Sequence, residues 1–460
     1  DNGDAEGALS LVERGIGKST DAERWSCAGR GSLLYAKQQI AAQGSGVETN
    51  LIDAIDRLEK AIKLADDQKG GSKHLGNRIH VYPARDAIEA MGLKGDAKAG
   101  LELGKRHLTH LDSLGIAFEA ADLSGLYGQV ASAALRVATS AYQNKGDGAP
   151  KLAEEARTLV VRFEKSYAKQ GEAQRAKGTE DAFAVFRAAA TLEEWAQRGA
   201  AALRLWERVA PLFPAASMGR LAGEVTGIAE RAAGGETATQ ILTAWLADRK
   251  GDAATLSWYL GYAKVLRGHE LRAGGDYEEA KKGYEAARKD FKAAMTKNPG
   301  FTENSKYWIA MAHAADGAAL KSAGKSAEAI DAWLLAVKTD ARVALAPDSL
   351  GQSAQGGVML EVDALYSTGK LDKAAELAER YLKELGSDDK NILNNIGFFW
   401  REFAGRQSGS ARTKAYEASW DAYKRAAAIA TDDPRILNDA ALIDVYYLKR
   451  NPKEAERMLR

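Results

Sequence analysis

Apolar residues recur along this chain at helical spacing. Leu51, Ile52, Ile55, Leu58 and Ile62 fall on one helical face, as do Ile330, Trp333, Leu334 and Val337. No stretch shows the strict alternation of a half-buried strand. The amphipathic segments share one punctuation: a helix end, a turn rich in Gly or Asp, then a small or aromatic residue, two charges and alanine. Gly274-Gly275-Asp276-Tyr277-Glu278-Glu279-Ala280 is the clearest copy. Gly324-Lys325-Ser326-Ala327-Glu328-Ala329, Gly369-Lys370-Leu371-Asp372-Lys373-Ala374 and Asn451-Pro452-Lys453-Glu454-Ala455 repeat it, as do Gly3-Asp4-Ala5-Glu6 and Gly95-Asp96-Ala97-Lys98 near the start. Weaker copies lie near Gly146, Gly199, Gly234 and Gly409.

With turns at 3, 46, 95, 146, 199, 234, 275, 324, 369, 409 and 451, ten intervals span 448 residues, a mean of about 45 with gaps from 35 to 53. This predicts an all-α fold, an α-solenoid of about ten antiparallel helix pairs. One pair cannot bury enough apolar surface by itself, and stacking gives a continuous core. Glycine at the turn supplies the left-handed backbone that closes a helix, and a small residue after it lets two helices approach. The repeats read more clearly over 251–460 than over the divergent 1–250, and one continuous solenoid is expected. Asp1 begins at a turn that precedes a second helix and Arg460 stops inside another. Neither end reads as a polar cap, so a longer chain, or self-assembly through uncapped ends, is expected.

These residues resemble the tetratricopeptide repeat family. Asn394-Asn395-Ile396-Gly397 is similar to its first-helix segment, Ala280, Ala329 and Ala374 to its second-helix alanine, and Pro299 and Pro434 to its terminal proline. The family period is 34, and most intervals here exceed it by about two to four helical turns. The resemblance implies a right-handed superhelix that binds a partner protein or extended segment on its concave face. It also implies a groove position for Asn394 and Asn395, and for Asn438 and Asp439 in the matching Ile436-Leu437-Asn438-Asp439. An amide both donates and accepts, so it can pair with any main chain. The alternative reading of these residues is a polar first turn, with Asn391 as N-cap. The family's carboxylate-binding lysines are absent beside them, and Phe398 stands where a polar contact is expected.

Composition narrows function further. Hydrophobic residues make up 45% and charged residues 28% of the chain, and there are only 8 prolines. Lys plus Arg is 64 against 63 Asp plus Glu, interspersed, so a nucleic-acid footprint is not expected. No apolar run reaches the length of a membrane span. A soluble protein of bacterial cytoplasm, periplasm or envelope fits. The lone cysteine, Cys27, excludes an internal disulfide; beside Trp25, Leu33 and Leu34 it reads as a small buried hydrophobe.

No motif carries an enzyme assignment. Gly15-Ile16-Gly17-Lys18-Ser19-Thr20 has the end of a phosphate-binding loop, but Val12 stands where its first glycine is needed. A helix stop followed by Ser19 or Thr20 as N-cap explains it. His107 and His110 could share a helix face, yet no further metal ligands accompany them apart from Asp112, so a surface or partly buried pair is expected. Carboxylate pairs such as Glu154-Glu155, Glu193-Glu194 and Glu278-Glu279 read as solvated faces. Eight of the nine tryptophans fall in predicted helices and read mainly as repeat core. The expectation is a scaffold with no cofactor and no metal. The alternatives are a structural subunit of an envelope, surface or filament assembly, and an enzyme or small-molecule binder with a pocket near 140–250.

Overall fold

The computed structural model describes residues 19–66, 72–248, 253–348, 350–450 and 452–459, together with Gly7, Ser10, Arg14 and Ile16. The fold is all-α: the described residues form 21 α-helices and no strand, with one isolated bridge between Ser72 and Gly76. They divide into two compact units, Asp1–Ala232 and Ala233–Arg460.

In the first unit, α1 (Ala22–Ala41) packs with α2 (Val47–Asp66), α3 (Tyr82–Lys94) with α4 (Ala97–Leu114), and α5 (Ala120–Gln143) with α6 (Ala149–Ala168). A short α7 (Glu172–Lys177) precedes α8 (Thr179–Trp195), which packs with α9 (Gly199–Val209), and α10 (Met218–Ala232) follows. The second unit opens with α11 (Gly235–Asp248). It continues as the pairs α12 (Ala253–Ala273) and α13 (Tyr277–Lys297), α14 (Thr302–Ser322) and α15 (Ser326–Thr339), α16 (Ala354–Ser367) and α17 (Leu371–Leu385), and α18 (Lys390–Gly405) and α19 (Gly409–Ile429). Helix α20 (Pro434–Leu442) runs through a π-helical turn at Ile443–Tyr447 toward α21 (Pro452–Leu459).

The turns within pairs share one chemistry. Gly95, Gly275, Gly324 and Gly369 take φ between +75° and +93°. The amide that follows each donates 2.9 Å back to a carbonyl five residues earlier, on Met91, Leu271, Leu320 and Leu365. This closure satisfies carbonyls that a helix end leaves open. At the weaker copies Gln43, Lys145 and Gln197 hold the left-handed place at φ +53°, +51° and +57°, and the same back-bond forms. The aspartate of the Gly-Asp turns then opens the next helix: Asp96 accepts from Ala99 N at 3.0 Å and Asp276 from Glu279 N at 3.4 Å. The predicted turns at 3 and 451 lie outside the described residues.

The core is built largely of alanine, with large aromatics keyed against glycine. In α2 the buried stripe is Leu51, Ala54, Leu58, Ala61 and Ala65, while Ile52 is exposed. A Cβ added at Gly317 of α14 would lie 2.6 Å from the buried Trp333 of α15, and one at Gly397 of α18 would lie 2.8 Å from Tyr423 of α19. Gly268 of α12 is closed in the same way by Tyr284 of α13, and Gly29 of α1 by Leu58 of α2 at 2.5 Å. The ring occupies the volume a side chain would need, which draws the two helices together.

Ion pairs tie one repeat to the next. Arg157 reaches Glu193 at 2.7 Å, Arg231 reaches Glu194 at 2.8 Å, and Lys105 reaches Glu155 at 2.6 Å. Lys325 reaches Glu278 at 2.5 Å. The carboxylate pairs read as solvated faces therefore serve mostly as links between repeats, and Glu193 is buried. Sequence spacing hides this, because each partner lies a repeat away. In the second unit the buried pair of Arg272 and Asp348, at 2.6 Å, joins the end of α12 to the connection before α16. Asp348 also accepts from Leu350 N and Gln352 N, which folds that connection.

Candidate functional site

Asn394 and Asn395 lie in the first turns of α18, and Asn438 and Asp439 in α20. Asn395 and Asn438 are exposed; Asn394 and Asp439 are half-buried. Asn391 is not the cap. Asp389 is, accepting from Asn391 N at 2.9 Å and Ile392 N at 3.0 Å, because a carboxylate two residues earlier meets two free amides. Arg401 of α18 reaches Asp439 at 3.4 Å and lies 5.2 Å over the Phe398 ring. Phe398 in turn meets Tyr366 of α16 at 5.9 Å. The side-chain amide oxygen of Asn394, Oδ1, is closed from solvent without a hydrogen-bond partner.

A larger feature lies in the first unit, where the repeat pattern is weakest. Helices α1, α3, α5 and α8 border a groove of about 520 Å³. Its floor is one face of α5: Ala121, Ser124, Gly125, Gly128, Gln129 and Ser132, spaced at three and four residues, while Leu126, Val130 and Leu135 turn into the core. Gly128 leaves room for the Phe163 ring, 3.3 Å from where its Cβ would be. Leu34 and Leu93, both substantially exposed, give the walls an apolar surface.

The charges along this groove are uneven. Its lining carries five cations, Arg30, Lys37, Arg85, Arg136 and Lys177, and three carboxylates, Asp86, Glu89 and Asp181, a net of +2. Lys37 pairs with Glu89. Arg85 places Nε 2.8 Å and Nη2 2.6 Å from the same oxygen of Asp86 and lies 4.5 Å over Tyr82. Asp86 is buried, and its other oxygen accepts no hydrogen bond. Arg30, Arg136 and Lys177 make no ion pair with described residues. The Arg136 guanidinium lies across Gly92 of α3, Nη1 being 2.6 Å from where a Cβ would sit.

A second hollow of about 560 Å³ shares Arg136 and Ala184 with this groove and runs between α5 and α8, within reach of residues 140–250. Arg220 lies 3.5 Å over the Phe183 ring there, with Nη1 2.7 Å from Glu180. No signal along the chain marks either hollow. Both set a face of α5 against side chains of other helices, α1, α3, α6, α7 and α8 in the first and α8 and α10 in the second, and only the fold brings them together.

Several predicted residues sit differently from expectation. Cys27 is exposed, not buried. The buried stripe of α1 runs through Ser26, Gly29, Leu33 and Ala36, which leaves Cys27 on the open face with Arg30 and Leu34. Asp21, not Ser19 or Thr20, caps α1, accepting from Glu23 N at 2.9 Å; Ser19 accepts from Asp21 N instead. Gly15, Gly17 and Lys18 of the phosphate-loop-like segment lie outside the described residues. His107 is buried against the carbonyl of His80, while His110 is half-buried, 2.9 Å from Asp66. Among the described residues no three His, Cys, Asp or Glu side chains are arranged to hold a metal. Trp206, Trp245 and Trp333 are core, five tryptophans are half-buried, and Trp195 is exposed. No described helix is long and apolar enough to cross a membrane.

No family model matches the chain, and no curated protein matches it. Solved structures do, at low superposition. The human IFIT1 dimer with PPP-AAAA is 12% identical, with 100% of this chain and 93% of that chain covered and a TM-score of 0.23. The P58(IPK) TPR domain is 14% identical, with 94% and 98% covered and a TM-score of 0.23. The Rap protein complexed with competence and sporulation factor is 12% identical, with 82% and 98% covered and a TM-score of 0.25. Likeness at this level gives no weight to any ligand.

Proposed function

We propose that the protein is a non-catalytic scaffold that holds an extended segment of a partner protein against its first helices. The observation that supports this most is the groove of the first unit. It is long, open and lined by amides, cations and apolar surface, a mixture suited to backbone and side chains together. A second contact is proposed at Asn395 and Asn438. Their amides are exposed and make no hydrogen bond with described residues, so they are free to pair with a main chain.

Affinity capture from the native cell with two variants tests the proposal. Ala121→Trp with Ser132→Trp fills the groove, and Asn395→Ala with Asn438→Ala removes the amides. The filled groove is expected to lose its co-purifying partner. The amide variant should weaken capture by roughly 1–3 kcal/mol per lost bond while melting as the parent does. If both variants keep the same partners undiminished, the scaffold reading of these faces is wrong. A double amide variant that melts much earlier with capture unchanged would make the asparagines structural.

A further inference from the structure

We propose that the groove of the first unit selects an acidic extended segment, its carboxylates seated on Arg30, Arg136 and Lys177 and its apolar side chains on Leu34 and Leu93. This rests on the scaffold reading of the same groove and names the chemistry of its occupant.

Charge is left over in this groove. Elsewhere in this unit Arg157, Arg208, Arg220 and Arg231 each lie on a glutamate at 2.7–2.9 Å. In the groove the carboxylates fall short of the cations. Asp86 and Glu89 are consumed by Arg85 and Lys37, which leaves Arg30, Arg136 and Lys177 facing Asp181 alone. Three unpaired cations against one carboxylate leave an excess of two, carried by α1, α5 and α7 around one cleft. The concave walls of the cleft concentrate such a field, so an incoming carboxylate gains more here than on an open surface. Gly92 leaves the Arg136 guanidinium room to lie against α3, and Arg136 lines the groove. Guanidinium groups also suit carboxylates geometrically, through two parallel N–H bonds.

The occupant is a polypeptide and not a nucleic acid. A phosphate backbone would bring continuous negative charge past Asp86, Glu89 and Asp181 in the same cleft. It would also leave Leu34 and Leu93 against solvent, whereas an acidic peptide can interleave carboxylates with apolar side chains.

Selection of a displayed random peptide library on the full chain is the test, with Arg30→Glu/Arg136→Glu as the discriminating variant. Both side chains are exposed on helices, and melting of the variant confirms its fold. The expected peptides are rich in Asp and Glu beside an apolar residue. They lose at least tenfold in affinity on charge reversal and weaken further as salt is raised. Neutral or basic peptides that still vanish in the filled groove of Ala121→Trp/Ser132→Trp overturn the acidic selection and leave the scaffold reading standing. Peptides indifferent to the filled groove overturn both. A single-stranded RNA oligonucleotide that binds more tightly than the selected peptides, and is lost on the same charge reversal, replaces the polypeptide with a polyphosphate and overturns the proposal.

Discussion

A glycine inside a helix normally weakens it, and alanine in its place is expected to gain up to about 1 kcal/mol. Gly317 and Gly397 reverse that sign, since the added methyl would meet Trp333 and Tyr423 inside van der Waals distance. Gly317→Ala and Gly397→Ala should each cost roughly 1–3 kcal/mol in urea unfolding, while Gly283→Ala in α13, whose nearest neighbour would be 3.6 Å away, should be neutral or stabilising. Along the chain Gly397 stands out only as the end of the Asn394-Asn395-Ile396-Gly397 segment, and Gly317 does not stand out at all. Their partners stand one helix later, at a distance no periodicity reveals. Buried histidines give a second residue-scale prediction. His269 is lowered to about 4 and His313 to about 3, chiefly by burial, and His80 and His107 are lowered for the same reason. The unfolded chain takes up these protons near pH 6.5 and the folded chain does not, so stability is whole above that pH and falls as the medium is acidified below it. Thermal melting should drop between pH 7.5 and pH 5, by on the order of 1 kcal/mol each for His269 and His313. His313→Gln should flatten the slope.

At the scale of elements, the turns were legible and the surfaces were not. Each described turn read from the Gly and Asp punctuation separates one helix from the next, including those at 46 and 199. The reason is local: a left-handed residue and a capping aspartate act within a few positions of themselves. Their weaker copies carry non-glycine residues in the left-handed place, at some cost in backbone energy. Gln43→Gly, Lys145→Gly and Gln197→Gly should therefore stabilise the chain by about 1 kcal/mol each. Gly95→Ala and Gly324→Ala, at φ +93° and +77°, should lose a similar amount. Differential scanning of the five variants reads both signs. Cys27 shows the limit of face assignment from one helix. Trp25, Leu33 and Leu34 suggest an apolar side, but alanine, serine and glycine bury as readily as leucine between closely packed helices. Counting large apolar residues therefore places the stripe wrongly.

Across the whole molecule, each packed helix meets neighbours that are close in chain order, so strain should stay near its source. Hydrogen exchange on Gly317→Ala should quicken in α14–α16 and leave α1–α6 at parent rates; uniform loss of protection would mean that the chain opens as one cooperative body. The groove of the first unit is the feature that most needed the fold to be seen, because no one of its helices carries a motif. One property of the chain makes it convenient to watch. The only thiol in 460 residues is exposed on α1, one helical turn before Arg30 and two before Leu34. A maleimide dye attached there, with no mutagenesis and no second attachment point, would stand at the mouth of the groove. Partial shielding by its neighbours, with help from Glu23, holds that exposed thiol above its ordinary range, so coupling should quicken as the buffer is made alkaline. Once attached, the dye's emission becomes a titratable signal of occupancy, turning an accident of composition into an optical probe of whatever the groove admits.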